Sequence, residues 1–165
     1  MLKKKKARIA VQALPFVFAL HNIEEALFMG KPELGPQMPM IVSSQQFIIA
    51  VSLFTVLGFM LVFGRRFYPS PQSYRYAVIA FSGMLFLNSF LPHILSALFL
   101  NAYTPGLLTA SLLVLPLTTY ILWEIKQSHW FSGKQMTAAI LLGGVCGFVL
   151  VFLFLGIGSL FTCST

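Results

Sequence analysis

The sequence has no aspartate. Its acidic residues are four glutamates among 165 residues, it has two cysteines, and charged residues make up only 9% of the chain. Without aspartate a Ser-His-Asp triad is impossible, which leaves only a glutamate variant formally open. Cys146 sits in an apolar run and Cys163 near the C-terminus. They are too far apart along a helix to pair, and no disulfide framework or cysteine metal motif is present. A soluble domain carries about 25% charged residues. So sparse a charge cannot solvate the surface of a soluble fold, whereas in lipid the outside of a protein is itself apolar. There is also no P-loop, no G-x-G-x-x-G and no nucleophile elbow, and no internal repeat or low-complexity tract.

What the chain has is apolar length: 58% of it is hydrophobic. About 20 apolar residues make a helix long enough to cross a bilayer. Five such segments occur, near 9–29, 45–64, 76–100, 107–125 and 136–161. Clusters rich in turn residues or charge separate them: Gly30 to Pro36, Arg65 to Pro71, Asn101 to Gly106 and Gln127 to Lys134. The expected fold is a single all-α domain over 1–165, an integral bundle of five transmembrane helices in the cell membrane. A lysine run followed by an apolar stretch also opens a signal peptide. No clear small-x-small cleavage site follows and further spans come later, so the first segment is read as a retained helix.

The net charge of +7 would suit nucleic acid, but its distribution does not. Lys3, Lys4, Lys5, Lys6, Arg8, Lys31, Arg65, Arg66, Arg75, Lys126 and Lys134 lie between apolar stretches, not along one basic face. With the N-terminus inside and the C-terminus outside, all of these except Lys31 fall on the inner side, as the positive-inside rule requires. Tyr68, Tyr74, Tyr76, Trp123 and Trp130 fall at the same interface, where amphipathic rings favour headgroup depth. The partners implied are membrane lipids. Gly143 and Gly147 form a G-x-x-x-G that permits close helix packing, within the chain or, as a second reading, between copies in a homo-oligomer.

The informative residues are the polar ones that interrupt apolar helices. His21, Glu24 and Glu25 stand at i, i+3 and i+4 and so share one helical face. An acidic residue near the centre of a span costs roughly 2.5–3.5 kcal/mol to insert, so this face should point into the bundle. The third segment carries Asn88 and His93, with Pro92 between them. Pro92 lacks an N–H, and its ring clashes with the carbonyl of Asn88, which predicts a kink beside the polar side chains. Pro15 and Pro116 should bend the first and fourth helices in the same manner. At 1.5 Å per residue, His21 lies about 20 Å and Glu25 about 26 Å above Arg8, while Asn88 lies about 18 Å and His93 about 26 Å above Tyr76. The two sets therefore stand at matching heights in the outer half of the membrane. Tyr103 to Gly106, Gln45 and Gln46 lie on that side too. Glu124, near Lys126, reads as a solvated interfacial charge, and His129 as an ordinary loop residue.

At these residues the sequence resembles the HXXEE family of multi-pass membrane proteins, named for the motif that here reads His21-Asn22-Ile23-Glu24-Glu25. The family is also marked by Asn-Ala-x-x-x-His and Tyr-x-Pro-Gly patterns. The corresponding residues here are Asn88-Ser89-Phe90-Leu91-Pro92-His93, with Ser89 in place of the usual alanine, and Tyr103-Thr104-Pro105-Gly106. The three motifs fall in order and cover most of the first hundred residues. The family is described without a biochemical function, so the resemblance supports a site more than an activity.

The residues allow four readings. His21, Glu24, Glu25 and His93 supply imidazole and carboxylate donors suited to zinc, iron or manganese. With Glu24, Glu25, Asn88 and Tyr103 as candidate catalytic groups, such a metal could activate water or polarise a carbonyl of a lipid-like substrate. The same acids beside His21 could instead shuttle protons without a metal, as in isomerisation of a double bond. Intramembrane ionisable residues also mark proton and ion pathways in transporters, although the inner half offers no matching polar path. The fourth reading is a buried polar network that only fixes helix register.

Overall fold

The computed structural model describes residues 5–29, 31 and 42–162, and among these every regular element is helical. The five helices are α1 (Lys5–Phe28), α2 (Ser44–Phe63), α3 (Pro71–Leu100), α4 (Leu107–Gln127) and α5 (Gly133–Thr162). A short 3-10 turn, Arg65–Phe67, follows α2. Lys3, Lys4, Cys163 and most of the Gly30 to Pro36 turn lie outside the described residues. The helices extend beyond the apolar runs because polar caps continue them. Ser43 and Gln46 close a capping box at the start of α2, and Ser70 with Ser73 does the same for α3, whose first residue is Pro71.

Four of the helices, α2 to α5, are long and apolar enough to cross a membrane. The α1 helix is long enough, but the polar residues in its last third lower its hydropathy. Each helix packs chiefly on two neighbours, in the cyclic order α1, α2, α5, α3, α4. The buried stripe of α1 runs through Ala7, Ala10, Val11, Leu14, Phe18 and His21, the three- and four-residue spacing of a single helical face. Phe18 meets Phe54 of α2 and Phe81 of α3 edge to face, with ring centroids 5.4 and 5.6 Å apart. By contrast, α5 leaves Leu141, Leu142, Val145, Phe148 and Phe152 more than half exposed. An apolar surface of this kind suits contact with lipid.

Two helices are not regular. In α3 the segment Ser89–Ile94 is π-helical, and Leu91 leaves helical geometry with φ −117° and ψ 112°. This is the kink predicted at Pro92. In α4 a second π segment, Ala110–Val114, precedes Pro116 and contains Leu112, the residue whose carbonyl the Pro116 ring would otherwise strike. Pro15, however, sits buried inside an α1 that continues without a break. Glu124 also departs from expectation: it is 6% exposed, buried against the bundle and not solvated. His129 is exposed in the loop after α4.

The G-x-x-x-G of α5 faces α3 within the chain. A Cβ on Gly143 would lie 2.1 Å from the carbonyl oxygen of Ala80, and one on Gly147 would lie 2.4 Å from Sδ of Met84. Both glycines are buried in this contact within the chain. Gly143→Val should destabilise the protein by about 1–3 kcal/mol, the usual cost of overpacking. Gly156→Ala, with nothing within 4 Å of the added carbon, should not. Thermal unfolding of both variants in detergent checks this.

Candidate metal centre

The last third of α1 and the π segment of α3 deliver the polar residues to one point. The rings of His21 and His93 meet edge to face with centroids 4.6 Å apart. The His93 Nε2 atom lies 3.4 Å from Oε1 of Glu25. The Asn88 amide nitrogen lies 3.4 Å from Nε2 of His21 and 3.2 Å from Nε2 of His93. One donor atom from each of His21, Glu25 and His93 falls within a group spanning no more than 4.8 Å. Both histidines are buried, at 1% and 2% exposure, while Glu25 is partly exposed and forms the open edge of the group.

The outer contacts of the two imidazoles fix their tautomers. Nδ1 of His93 is 2.9 Å from the carbonyl of Pro105. A carbonyl only accepts, so Nδ1 carries the hydrogen and Nε2 presents its lone pair inward. Nδ1 of His21 is 2.9 Å from the hydroxyl of Thr109, which itself lies 3.3 Å from the Gly106 carbonyl and donates to it. The Thr109 oxygen therefore accepts from Nδ1 of His21, and Nε2 of His21 is the inward lone pair as well. This is how metal-ligating histidines are held: the outer nitrogen donates to an oxygen and the inner one is left basic.

Glu24 was expected among the ligands, and its carboxylate points elsewhere. The N–H of Leu108 donates to Oε1 at 3.1 Å, and that of Thr109 donates to Oε2 at 2.7 Å. These are two of the N–H groups that the first turn of α4 leaves without helical partners. A carboxylate there also meets the positive end of the helix dipole. The Tyr103 hydroxyl donates to Oε1 as well. Burial, and after it this bond to the carboxylate, raises the Tyr103 phenol above its ordinary range, which keeps it protonated as a donor. Tyr103 thus holds Glu24 and does not reach the His21, Glu25 and His93 group.

Residues outside the expected set complete the site. Thr109 orients His21. Thr104 donates to the carbonyl of His93 at 3.1 Å. Asn22, inside the HXXEE motif, donates to Thr55 at 2.7 Å and to the Val51 carbonyl at 3.3 Å, tying α1 to α2. A threonine or an amide within an apolar helix is too common a residue for sequence alone to assign it such a role. Gln45 and Gln46 do not enter the site: Gln46 accepts from the Ser43 N–H and caps α2.

Gly106 closes the site. Its φ of 84° lies in the left-handed region, and a Cβ there would come 2.7 Å from Cε1 of His93 and 2.8 Å from Cε1 of His21. Only glycine satisfies both conditions. Gly106→Ala should therefore cost about 1–3 kcal/mol through overpacking against the two imidazoles. Tyr103→Phe, which removes a donor to a charged group, should cost roughly 1.5–3 kcal/mol. Chemical denaturation in detergent measures both, and an unchanged midpoint in either variant would contradict the geometry.

The family described as "Protein of unknown function with HXXEE motif" matches residues 12–121. The chain is also 29% identical over 147 residues to the uncharacterized protein YrkK of Bacillus subtilis (strain 168), covering 87% of this chain and 92% of that protein. No solved structure matches it.

Proposed function

Since the chain belongs to the HXXEE family, whose function is unknown, we propose a function from the site itself: a metal-dependent intramembrane enzyme with His21, His93 and Glu25 as ligands and a lipid-like substrate. The observation that carries the reading is that both inward Nε2 lone pairs and the Glu25 carboxylate face one point while both Nδ1 atoms are engaged outside it. Two imidazoles and a carboxylate are the donor set of one class of catalytic zinc sites and of the facial triad of non-haem iron. Either set leaves coordination positions open for water or substrate. The 3.4 Å between Nε2 of His93 and Oε1 of Glu25 fits the edge of about 3.3 Å that bonds of ~2.0–2.1 Å give in a tetrahedral zinc site. Separations of up to 4.8 Å in the group are wider than such an edge. Binding would require the Asn88 amide nitrogen, now 3.4 and 3.2 Å from the two Nε2 atoms, to give up those contacts.

In this reading the chain crosses the membrane five times, with the N-terminus inside. The α1 helix is the fifth span, and its polar face is covered by α3 and by the loop before α4. The centre then lies in the outer half of the bilayer, and partly exposed Glu25 is its open edge. A substrate that meets Glu25 at this depth is lipid-like. The ion would polarise a carbonyl or activate water at this depth, and Glu25, at the open edge, would be the group nearest the substrate. A metal-free acid–base reading has one observation in its favour, the direct approach of Glu25 to His93, across which a proton can pass.

Elemental analysis of the purified protein separates the two readings. One divalent ion per chain is expected in the wild type and should be lost in His21→Ala, His93→Ala and Glu25→Gln. Thr109→Val should weaken binding about 10–100-fold, as loss of an outer partner of a ligating histidine does, while Glu24→Gln should retain the ion. A protein that neither carries an ion nor takes up zinc, manganese or iron(II) on titration has no such centre, and the acid–base reading would then stand in its place.

A further inference from the structure

The opposite end of the bundle holds a second polar feature. A cavity of about 250 Å³ opens between the start of α1, the end of α2, the start of α3 and the end of α4. Arg8, Arg65 and Arg75 line it, together with Gln12, Tyr74 and Trp130. Among the described residues no carboxylate lines it. The basic residues of the lining outnumber the one acid in this part of the chain, buried Glu124, one residue before the lining Ile125.

Arg75 is the residue built for recognition. Its guanidinium stacks over the Trp130 ring at 3.8 Å from the centroid, which fixes the plane of the fork. Its Nε is buried with no hydrogen-bond partner among the described residues. A buried donor left unmade is costly, and a guanidinium fork held flat matches the paired oxygens of a phosphate. The rest of the wall is apolar, formed by valines and isoleucine of α1 to α4.

We propose that this cavity binds the phosphate-bearing headgroup of an anionic membrane lipid. The volume is below the ~300–1,000 Å³ of sites that enclose a drug-sized ligand, so it admits a headgroup and leaves acyl chains in the surrounding lipid. Its basic residues stand at the helix ends flanked by Tyr68, Tyr74, Tyr76 and Trp130, the aromatic composition of a membrane interface. Basic pockets between helices at such an interface take acidic headgroups. The zwitterionic headgroup of phosphatidylcholine places a quaternary ammonium next to its phosphate, which the arginines repel. A free phosphate shares the recognised chemistry but lacks the anchoring chains.

Thermal unfolding of the full chain in detergent, titrated with phosphatidylglycerol, phosphatidylcholine or inorganic phosphate, tests this. Phosphatidylglycerol should raise the midpoint and phosphatidylcholine should not. Arg75→Gln and Arg8→Gln should each raise the phosphatidylglycerol concentration needed by at least tenfold. Arg75→Gln removes a stacked, half-buried side chain, so if that variant fails to fold, Arg8→Gln at the exposed rim decides. A shift by inorganic phosphate equal to that by phosphatidylglycerol would overturn the lipid assignment in favour of a soluble oxyanion. Equal shifts by the two lipids, or an undiminished response in Arg8→Gln, would overturn the proposal.

Discussion

The carboxylate of Glu24 binds the first free N–H groups of α4, and the geometry of the polar site depends on that contact. It is a cap supplied across the bundle, from the end of one helix to the start of another. By seating α4 against α1 it fixes where the loop between α3 and α4 must run. That loop then brings the Pro105 carbonyl to His93 and the first turn of α4 brings Thr109 to His21. A buried carboxylate is expensive, and here the cost is offset by two backbone donors, a phenol and a helix dipole. The second glutamate of the motif, Glu25, is thereby left as the one whose oxygens face the imidazoles.

The break in α3 serves the same end. A regular helix from Pro71 to Leu100 would carry Asn88 and His93, five residues apart, to different faces, since five residues advance a helix by about 140° beyond a full turn. The π segment and the non-helical Leu91 re-aim the chain so that both side chains meet His21. The break is enclosed by protein: Ser89 and His93, within it, are buried.

The two ends of the bundle are therefore chemically opposite. One end gathers imidazoles and acids in a largely buried polar cluster; the other gathers guanidinium groups and aromatic rings around an open cavity. Between them lies a core of Leu14, Phe18, Ile79, Leu85 and Ile121, and the outer surface, above all that of α5, is apolar. Close approach of helices adds packing contacts. Gly143 and Gly147, set against Ala80 and Met84, provide it where α5 meets α3.

The sequence by itself determined the helices and the residues of the polar site. Apolar length and Pro/Gly punctuation are local, so five helices and their approximate bounds follow from them. The cost of burying His21, Glu24 and Glu25 dictates an inward face, and matching heights along two helices bring His21 to Asn88 and His93. Tertiary structure alone decided the division of labour between adjacent glutamates. Glu24 and Glu25 are chemically identical and one residue apart, and only the position of α4, a hundred degrees around the helix from one to the other, makes the first a cap and leaves the second facing the histidines. The same holds for Thr109, Gly106 and the arginine cavity. Their roles come from which chain segments end up adjacent, and a contact made across 80 residues of chain leaves no trace in the spacing of either partner.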